Sequence, residues 1–340
     1  MPVNTLITGG TGSLGYALVR HFLRTPGCGK VAVFSRDELK QAQMAVAIPD
    51  PRMRFMIGDV RDTARLALAM EGYDAVVHAA ALKRVDAVAD SPSEVFRTNL
   101  DGTRNVLTAA RNVGVPRVLV ISSDKACYPT NAYGVSKAAA ECETVSWNRY
   151  SMPKGVRASV LRYGNVLGSR GSVVHVWRSL GCERVDEVWK PYLSKEGVLP
   201  EVTHPHMTRF IITMPQACTA VSWALGAMQG GEIFVPYLAA ANILDLLEAV
   251  TGKRDHVLTG LRPGGEKLHE TLLTTEESER TVDTGEGAWA VRPHLHAWQA
   301  DPPWKDARPV MRGAFASEYA RRMGVRELKG ALATVPTEGV

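Results

Sequence analysis

Tyr133 and Lys137 stand four residues apart in Tyr133-Gly134-Val135-Ser136-Lys137, a spacing that puts both side chains on one face of a helix. An ammonium beside a phenol lowers the phenol pKa from its reference of about 10. Such a tyrosine can take a proton from a sugar hydroxyl while hydride leaves to a nicotinamide. Just upstream, Ser122-Ser123-Asp124-Lys125 sets a hydroxyl, an acid and a cation side by side. A C4-epimerase needs only the hydroxyl there. Once C4 is a ketone, however, the C5 proton becomes acidic. A base can then remove it while an acid protonates the departing C6 hydroxyl, which is a 4,6-dehydration. Asp124 and Lys125 suit those two extra transfers; the plainer alternative is a solvated pair for Tyr133 and Lys137 and a surface salt bridge at a strand end for Asp124 and Lys125.

Such chemistry needs a dinucleotide, and the chain begins with a loop that could hold one. Thr8-Gly9-Gly10-Thr11-Gly12-Ser13-Leu14-Gly15 joins a β-branched run to a helical pattern. Gly9 permits a tight turn, Gly12 lets backbone approach a pyrophosphate, and Gly15 allows close helix–strand packing. The helix N-terminus would offer free N–H groups to the phosphates. After the second strand, Ser35-Arg36-Asp37 and Lys40 bring cations where a 2′-phosphate would lie, which favours NADP. Asp37 keeps NAD as the alternative. Asp59 and Val60 are placed to meet the adenine, although Asp59 could equally cap a helix. Ala79, Ala80 and Ala81 are small enough for a cofactor to pass closely, or for tight packing alone.

The elements that must position these residues follow a strict alternation. Strands are expected at Val3–Thr8, Lys30–Phe34, Met53–Ile57, Ala75–His78, Arg117–Ser122 and Arg157–Leu161. Helices are expected at Ser13–Arg24, Thr63–Met70, Pro92–Asn112 and Ala132–Asn148. This predicts an α/β fold with a doubly wound parallel sheet of the Rossmann type, its ligands at the carboxyl ends of the strands. After Tyr163 the rhythm breaks. Ile211–Met228 and Ile243–Thr251 read as helices, Glu232–Val235 as a returning strand, and Thr284–Trp304 as irregular. Residues 1–165 are therefore expected to bind the cofactor, joined by a late strand near 232–236. Residues 166–340 would mainly form a smaller substrate lobe.

Composition narrows the class. The 340 residues are 45% hydrophobic and 22% charged with a net charge of +5, and the cations are scattered, so neither a nucleic-acid nor a membrane surface is expected. No apolar run approaches the ~18 residues of a membrane helix. The strand pattern starts at Val3, which leaves no room for a signal peptide. Cys28, Cys127, Cys142, Cys182 and Cys218 form no C-x-x-C pair and no cluster with His, so reduced thiols, a cytoplasmic location and no metal are expected.

The chain resembles the inverting UDP-N-acetylglucosamine 4,6-dehydratases, extended short-chain dehydrogenase/reductases of polysaccharide biosynthesis. The resemblance is carried by Thr8–Gly15, Phe34–Lys40, Gly58–Asp62, His78–Lys83, Ser123–Ala126, Arg162–Val166, Gly168–Val173, Met207–Phe210, Gly230–Pro236, Arg262-Pro263 and Glu266–Glu270. It implies a tightly held NADP, with Lys83, Asn99, Tyr133 and Lys137 also at the cofactor. It implies oxidation at C4 by Tyr133, C5 proton abstraction by Lys125, protonation of the C6 hydroxyl by Asp124, and inversion at C5. Lys83, Asn165, Arg209, Arg262 and Glu266 would lie around the nucleotide-sugar. Guanidinium forks suit diphosphates, and structural ion pairing is the alternative use for Arg209 and Arg262. The resemblance also implies self-association.

Several positions depart from that family. Ser123 stands for Thr, His175 for Pro, His204 for Asp or Asn, and Tyr237 for Lys. The segment 181–197 is longer, and Gly264-Gly265 carries an extra glycine. Two rival readings remain. A C4-epimerase would keep Tyr133 and Lys137 without using Asp124 and Lys125. A non-catalytic NADP sensor would have no reason to keep either pair.

Overall fold

The first six strands run β1 Val3–Thr8, β2 Cys28–Ser35, β3 Met53–Ile57, β4 Ala75–His78, β5 Arg117–Ile121 and β6 Arg157–Leu161. They pair in parallel in the order β3-β2-β1-β4-β5-β6. The computed structural model describes residues 3–83, 90–151, 155–180, 182–185, 188–191, 199–262, 264–294, 307, 309–310 and 312–335. Leu6, Ile7, Val31 to Phe34, Val76, Val77, Val118 and Leu119 are fully buried. Helices cover both faces, which is why these strands read as continuous apolar runs rather than alternating ones. The chain leaves β1 towards β2 and later returns to β4 on its other side. A crevice therefore opens beyond the carboxyl ends of β1 and β4.

Three late strands extend this sheet to nine. Ile233–Pro236 adds parallel to β6, Ala288–Val291 pairs antiparallel with it, and Thr281–Asp283 forms the edge. The late strand expected near 232–236 is thus present. Ala288–Val291 corrects the irregular reading of Thr284–Trp304, of which 295–304 lie outside the described residues. Its Ala and Val side chains are small enough to bury completely beside Phe234.

Helices Ser13–Arg24, Thr63–Met70 and Ile243–Thr251 fall where the sequence puts them. Ile211–Met228 does not form one helix. Ile211 and Ile212 finish a buried strand, Thr208–Ile212, and Thr213 then caps Met214–Ala227 in a reciprocal pairing with Gln216. Pro92–Asn112 is interrupted by a wide turn at Arg97–Asp101 between helices Pro92–Phe96 and Gly102–Val113. At that turn the Thr103 hydroxyl donates to the Asn99 carbonyl at 2.6 Å.

A second, smaller apolar cluster gathers Val174, Trp177, Met207, Ile211, Leu246, Leu247 and Leu328. Beside it, Thr208–Ile212 pairs with Ala239–Asn242 and with Asn165–Val166, which places Asn165 next to the end of the main sheet.

Candidate active site

The crevice holds a cavity of about 580 Å³ that runs from the glycine loop to Tyr133. Gly9 has φ +68°, and a Cβ there would meet the backbone of Ala80 at 2.8 Å. Gly15 packs so tightly on Gly10 that a Cβ would fall 2.4 Å from its Cα. Gly12 opens the first helix with no side-chain cap and no acidic residue in the first turn. A bare helix N-terminus at the floor of an elongated cavity is a cradle for a pyrophosphate, so the residues present fit a dinucleotide. Thr11, Ser13, Leu14, Ala79, Ala81 and Lys83 line the same cavity.

At its far end Ser35, Arg36, Lys40, Asp59 and Val60 line the wall. The Arg36 side chain is 58% exposed and lies 3.7 Å from Asp59, whose carboxylate is also bound by Arg61 at 2.8 Å. Asp37 caps the helix Glu38–Ala47 by accepting from the Lys40 amide at 2.9 Å, and its carboxylate also pairs with the Lys40 ammonium. Both acids are thus engaged by cations of the protein.

Tyr133 and Lys137 open the helix Ala132–Ser151, and Asn131 caps it by accepting from the Gly134 amide at 2.9 Å. Asp124 and Lys125 sit on one tight turn after β5. A Cβ on Gly134 would lie 2.4 Å from the Lys125 carbonyl, so glycine there lets the helix rest directly on that turn. Asp124 is fully buried, and its Oδ1 accepts from Ser123 at 2.8 Å and from Lys125 at 3.0 Å. Lys125 also reaches Glu270 Oε1 at 3.2 Å and the Asn165 side-chain carbonyl at 3.5 Å. The Lys137 ammonium donates to the Ile121 carbonyl at 2.8 Å.

Burial raises the Asp124 carboxyl above the usual range, although the Lys125 charge opposes it. For Lys125, burial works against the charge, but Asp124 and Glu270 together outweigh it and the ammonium is held. Burial lowers Lys137 to about 8. It also raises the Tyr133 phenol, against which Lys125 and the Ser123 hydroxyl act. Lys125 is the cation that acts on the Tyr133 phenol.

Some expected site residues lie elsewhere. Asn99 is buried behind the wall; its amide donates to Leu82 O and Ser136 Oγ at 3.0 Å each, and its carbonyl accepts from the Leu82 amide at 2.8 Å. It orients two elements rather than lining the cavity. Arg209 spends its guanidinium on the carbonyls of Thr208, Lys267 and Leu268 at 2.8 to 3.1 Å, and it lies 3.6 Å from Glu266. Arg262 pairs with Glu266 at 2.6 Å. These three are tied to one another outside the cavity lining, in the ion-pairing role that is the alternative for the two arginines.

Sequence reasoning gave no role at the site to Arg170, His175 or Glu270. Arg170 reaches the glycine loop, its guanidinium donating to Thr11 O at 2.6 Å and its amide to Ser13 Oγ at 3.0 Å. His175 steadies the loop that carries Arg170 through a 2.7 Å contact with the Gly168 carbonyl. Glu270 meets Lys125 only through the fold, and no spacing could reveal it. The extra glycine has a use as well: Gly265, at φ +87°, packs on Thr130 so closely that a Cβ would lie 2.3 Å from its carbonyl. Among the described residues, no group of His, Cys, Asp or Glu could hold a metal, and no helix is long and apolar enough to cross a membrane.

Residues 5–291 match the model of a family described as polysaccharide biosynthesis protein. The chain is 40% identical over 292 residues to a UDP-N-acetylglucosamine 4,6-dehydratase (inverting) of Campylobacter jejuni, covering 86% of this chain and 83% of that protein. It is 38% identical over 285 residues to a UDP-glucose 4-epimerase of Rickettsia conorii, covering 82% and 80%. Among solved structures it is similar to Pen from Bacillus thuringiensis, with a TM-score of 0.85, 30% identity and 98% of each chain covered.

Proposed function

Because this chain belongs to the polysaccharide biosynthesis protein family, which includes the inverting UDP-N-acetylglucosamine 4,6-dehydratases, we propose that it is an NADP-dependent nucleotide-sugar 4,6-dehydratase. Its preferred substrate is UDP-N-acetylglucosamine or a related UDP-hexose, and its product is a 4-keto-6-deoxy sugar inverted at C5. We assign dinucleotide binding to residues 1–165, with Ile233–Pro236 inserted, and sugar binding mainly to residues 166–340. The single observation that carries the reading is the buried acid–cation pair Asp124–Lys125, 3.0 Å apart beside Tyr133.

A nicotinamide held in the crevice would supply a reversible hydride acceptor, taking hydride from C4 and later delivering it to C6. Tyr133 removes the C4 hydroxyl proton, with Ser123 in hydrogen-bonding reach of its phenol. Lys125 then takes the C5 proton, now acidified by the C4 ketone. Burial raises the Asp124 carboxyl, which favours its acid form, and as that acid it protonates the leaving C6 hydroxyl. Asn165 beside Lys125 and Lys83 on the cavity wall are set to hold the sugar and its diphosphate. Arg36 and Lys40 favour NADP, because Asp37 and Asp59, which could serve an NAD ribose, are already paired with cations.

A C4-epimerase remains the second reading, supported by the 38% identity to a protein of that name. Incubation with UDP-N-acetylglucosamine in deuterated water separates the two. Dehydration gives a product lighter by one water that carries deuterium at C5. Epimerisation gives an isomer of unchanged mass with none.

A further inference from the structure

Glu270 is 2% exposed, and its Oε1 touches the Lys125 ammonium opposite Asp124. Its Oε2 lies 3.3 Å from Lys267, and Arg209 stands 4.0 Å from Oε1. The Glu270 amide donates to Ser317 Oγ at 2.9 Å, which fixes the backbone. The charged and titratable groups facing this pair are therefore Asp124, Tyr133, Arg209 and Lys267.

With the Glu270 carboxylate 3.2 Å away and the Asp124 oxygen 3.0 Å away, Lys125 is an ammonium and cannot accept a proton from C5. One of its two contacts must first take a proton from it. On the function proposed above, Asp124 already carries the proton meant for C6, and Glu270, ionised by its three cations, is the remaining acceptor. We propose that Glu270 is the positioning residue that deprotonates Lys125, so that the Lys125–Glu270 pair, not lysine alone, is the C5 base. The Lys125 side chain is 25% exposed in this structure. A sugar seated on it would exclude water and disfavour the charged pair relative to the neutral one.

The protons balance. Lys125 gives one to Glu270, leaving an amine and a carboxylic acid. The amine lone pair takes the C5 proton, the C5–H electrons form the C5–C6 double bond, and the C6–O bond breaks with its oxygen protonated by Asp124. Water leaves. Lys125 is then an ammonium, Glu270 an acid and Asp124 an anion. Because Lys125 touches both carboxylates, it can pass the Glu270 proton back to Asp124 and restore the starting state.

This inference rests on Lys125 being the C5 base, and two variants separate the claims. In the full chain with its dinucleotide, Glu270→Gln is expected to slow C5 deuterium exchange and water loss from UDP-N-acetylglucosamine by about 100-fold or more. KM should stay within about twofold, since the group acts on the barrier rather than on binding. C4 oxidation should persist, read from the near-ultraviolet absorbance of the reduced dinucleotide. The residual rate should climb with pH as Lys125 loses its proton to solvent, and Glu270→Asp should recover part of the exchange. Unchanged exchange in Glu270→Gln overturns the inference, as does loss of C4 oxidation and exchange in equal measure, which marks a structural role. Lys125→Ala that keeps C5 exchange would instead overturn the base assignment itself.

Discussion

Gly134 rests on the carbonyl of Lys125, with room for a hydrogen and no more: a Cβ would stand 2.4 Å from that oxygen. The helix that carries Tyr133 and Lys137 is thereby seated on the turn that carries Asp124 and Lys125. Gly134→Ala should push the two apart. Overpacking of this kind costs about 1–3 kcal/mol, so thermal unfolding should shift down and turnover should fall. A variant with unaltered melting and full turnover would show that the seat is not needed.

Lys125→Ala should abolish dehydration while nucleotide-sugar binding holds, because a base acting in the transition state lowers kcat and not affinity. Tyr133→Phe should fall by about 10²–10⁴-fold and stop at the earlier step. Rapid-mixing absorbance discriminates between them: Lys125→Ala accumulates reduced dinucleotide, whereas Tyr133→Phe does not.

The proposed NADP would set its 2′-phosphate against Arg36. A charge-assisted hydrogen bond contributes about 1.5–3 kcal/mol, so Arg36→Asp should weaken NADP by roughly 10- to 100-fold and leave NAD almost unaffected. Titration calorimetry with both dinucleotides reads this directly. Equal weakening of the two would place Arg36 away from the phosphate.

Lys137 is held to about 8 by burial, whereas an unfolded lysine titrates near 10.4. The folded state therefore disfavours its proton. The resulting destabilisation is fully present below pH 8 and fades as pH rises towards 10.4, so wild type should gain stability relative to Lys137→Met across that window. Dinucleotide binding should move the other way, weakening as pH passes 8, if the ammonium is what grips the ribose. Parallel melting and binding curves for the two proteins test both signs.

Arg209 braces two carbonyls and two carboxylates of the 266–270 segment, and donates to the Thr208 carbonyl as well. Arg209→Ala would leave buried acceptors unpaired, at about 1–3 kcal/mol. Lower stability with lower turnover is expected. A rise in KM at unchanged melting temperature would show instead that the guanidinium binds substrate.

Much of this molecule was legible in the chain. The glycine loop, the Tyr133-x-x-x-Lys137 spacing and the Ser123–Lys125 triplet are local patterns, and each needs only a strand end or a helix face to make chemical sense. The parallel strands were equally plain, since burial on both faces leaves an uninterrupted β-branched run. Ile211–Met228 misled because a fully buried strand and a buried helix are both continuously apolar; the Thr213–Gln216 cap was the available sign of the break. Ala288–Val291 misled because Pro, Trp and His around it mask four residues of strand.

What the chain alone determined was the set of groups and the scaffold that repeats them at strand ends. Which groups share a charge was decided only by the tertiary structure. Glu270 arrives beside Lys125 from a distant loop, and Arg209 turns inward to hold that loop in place. Coulomb interaction depends on distance in space, and no periodicity along a sequence encodes the approach of two buried charges from separate elements.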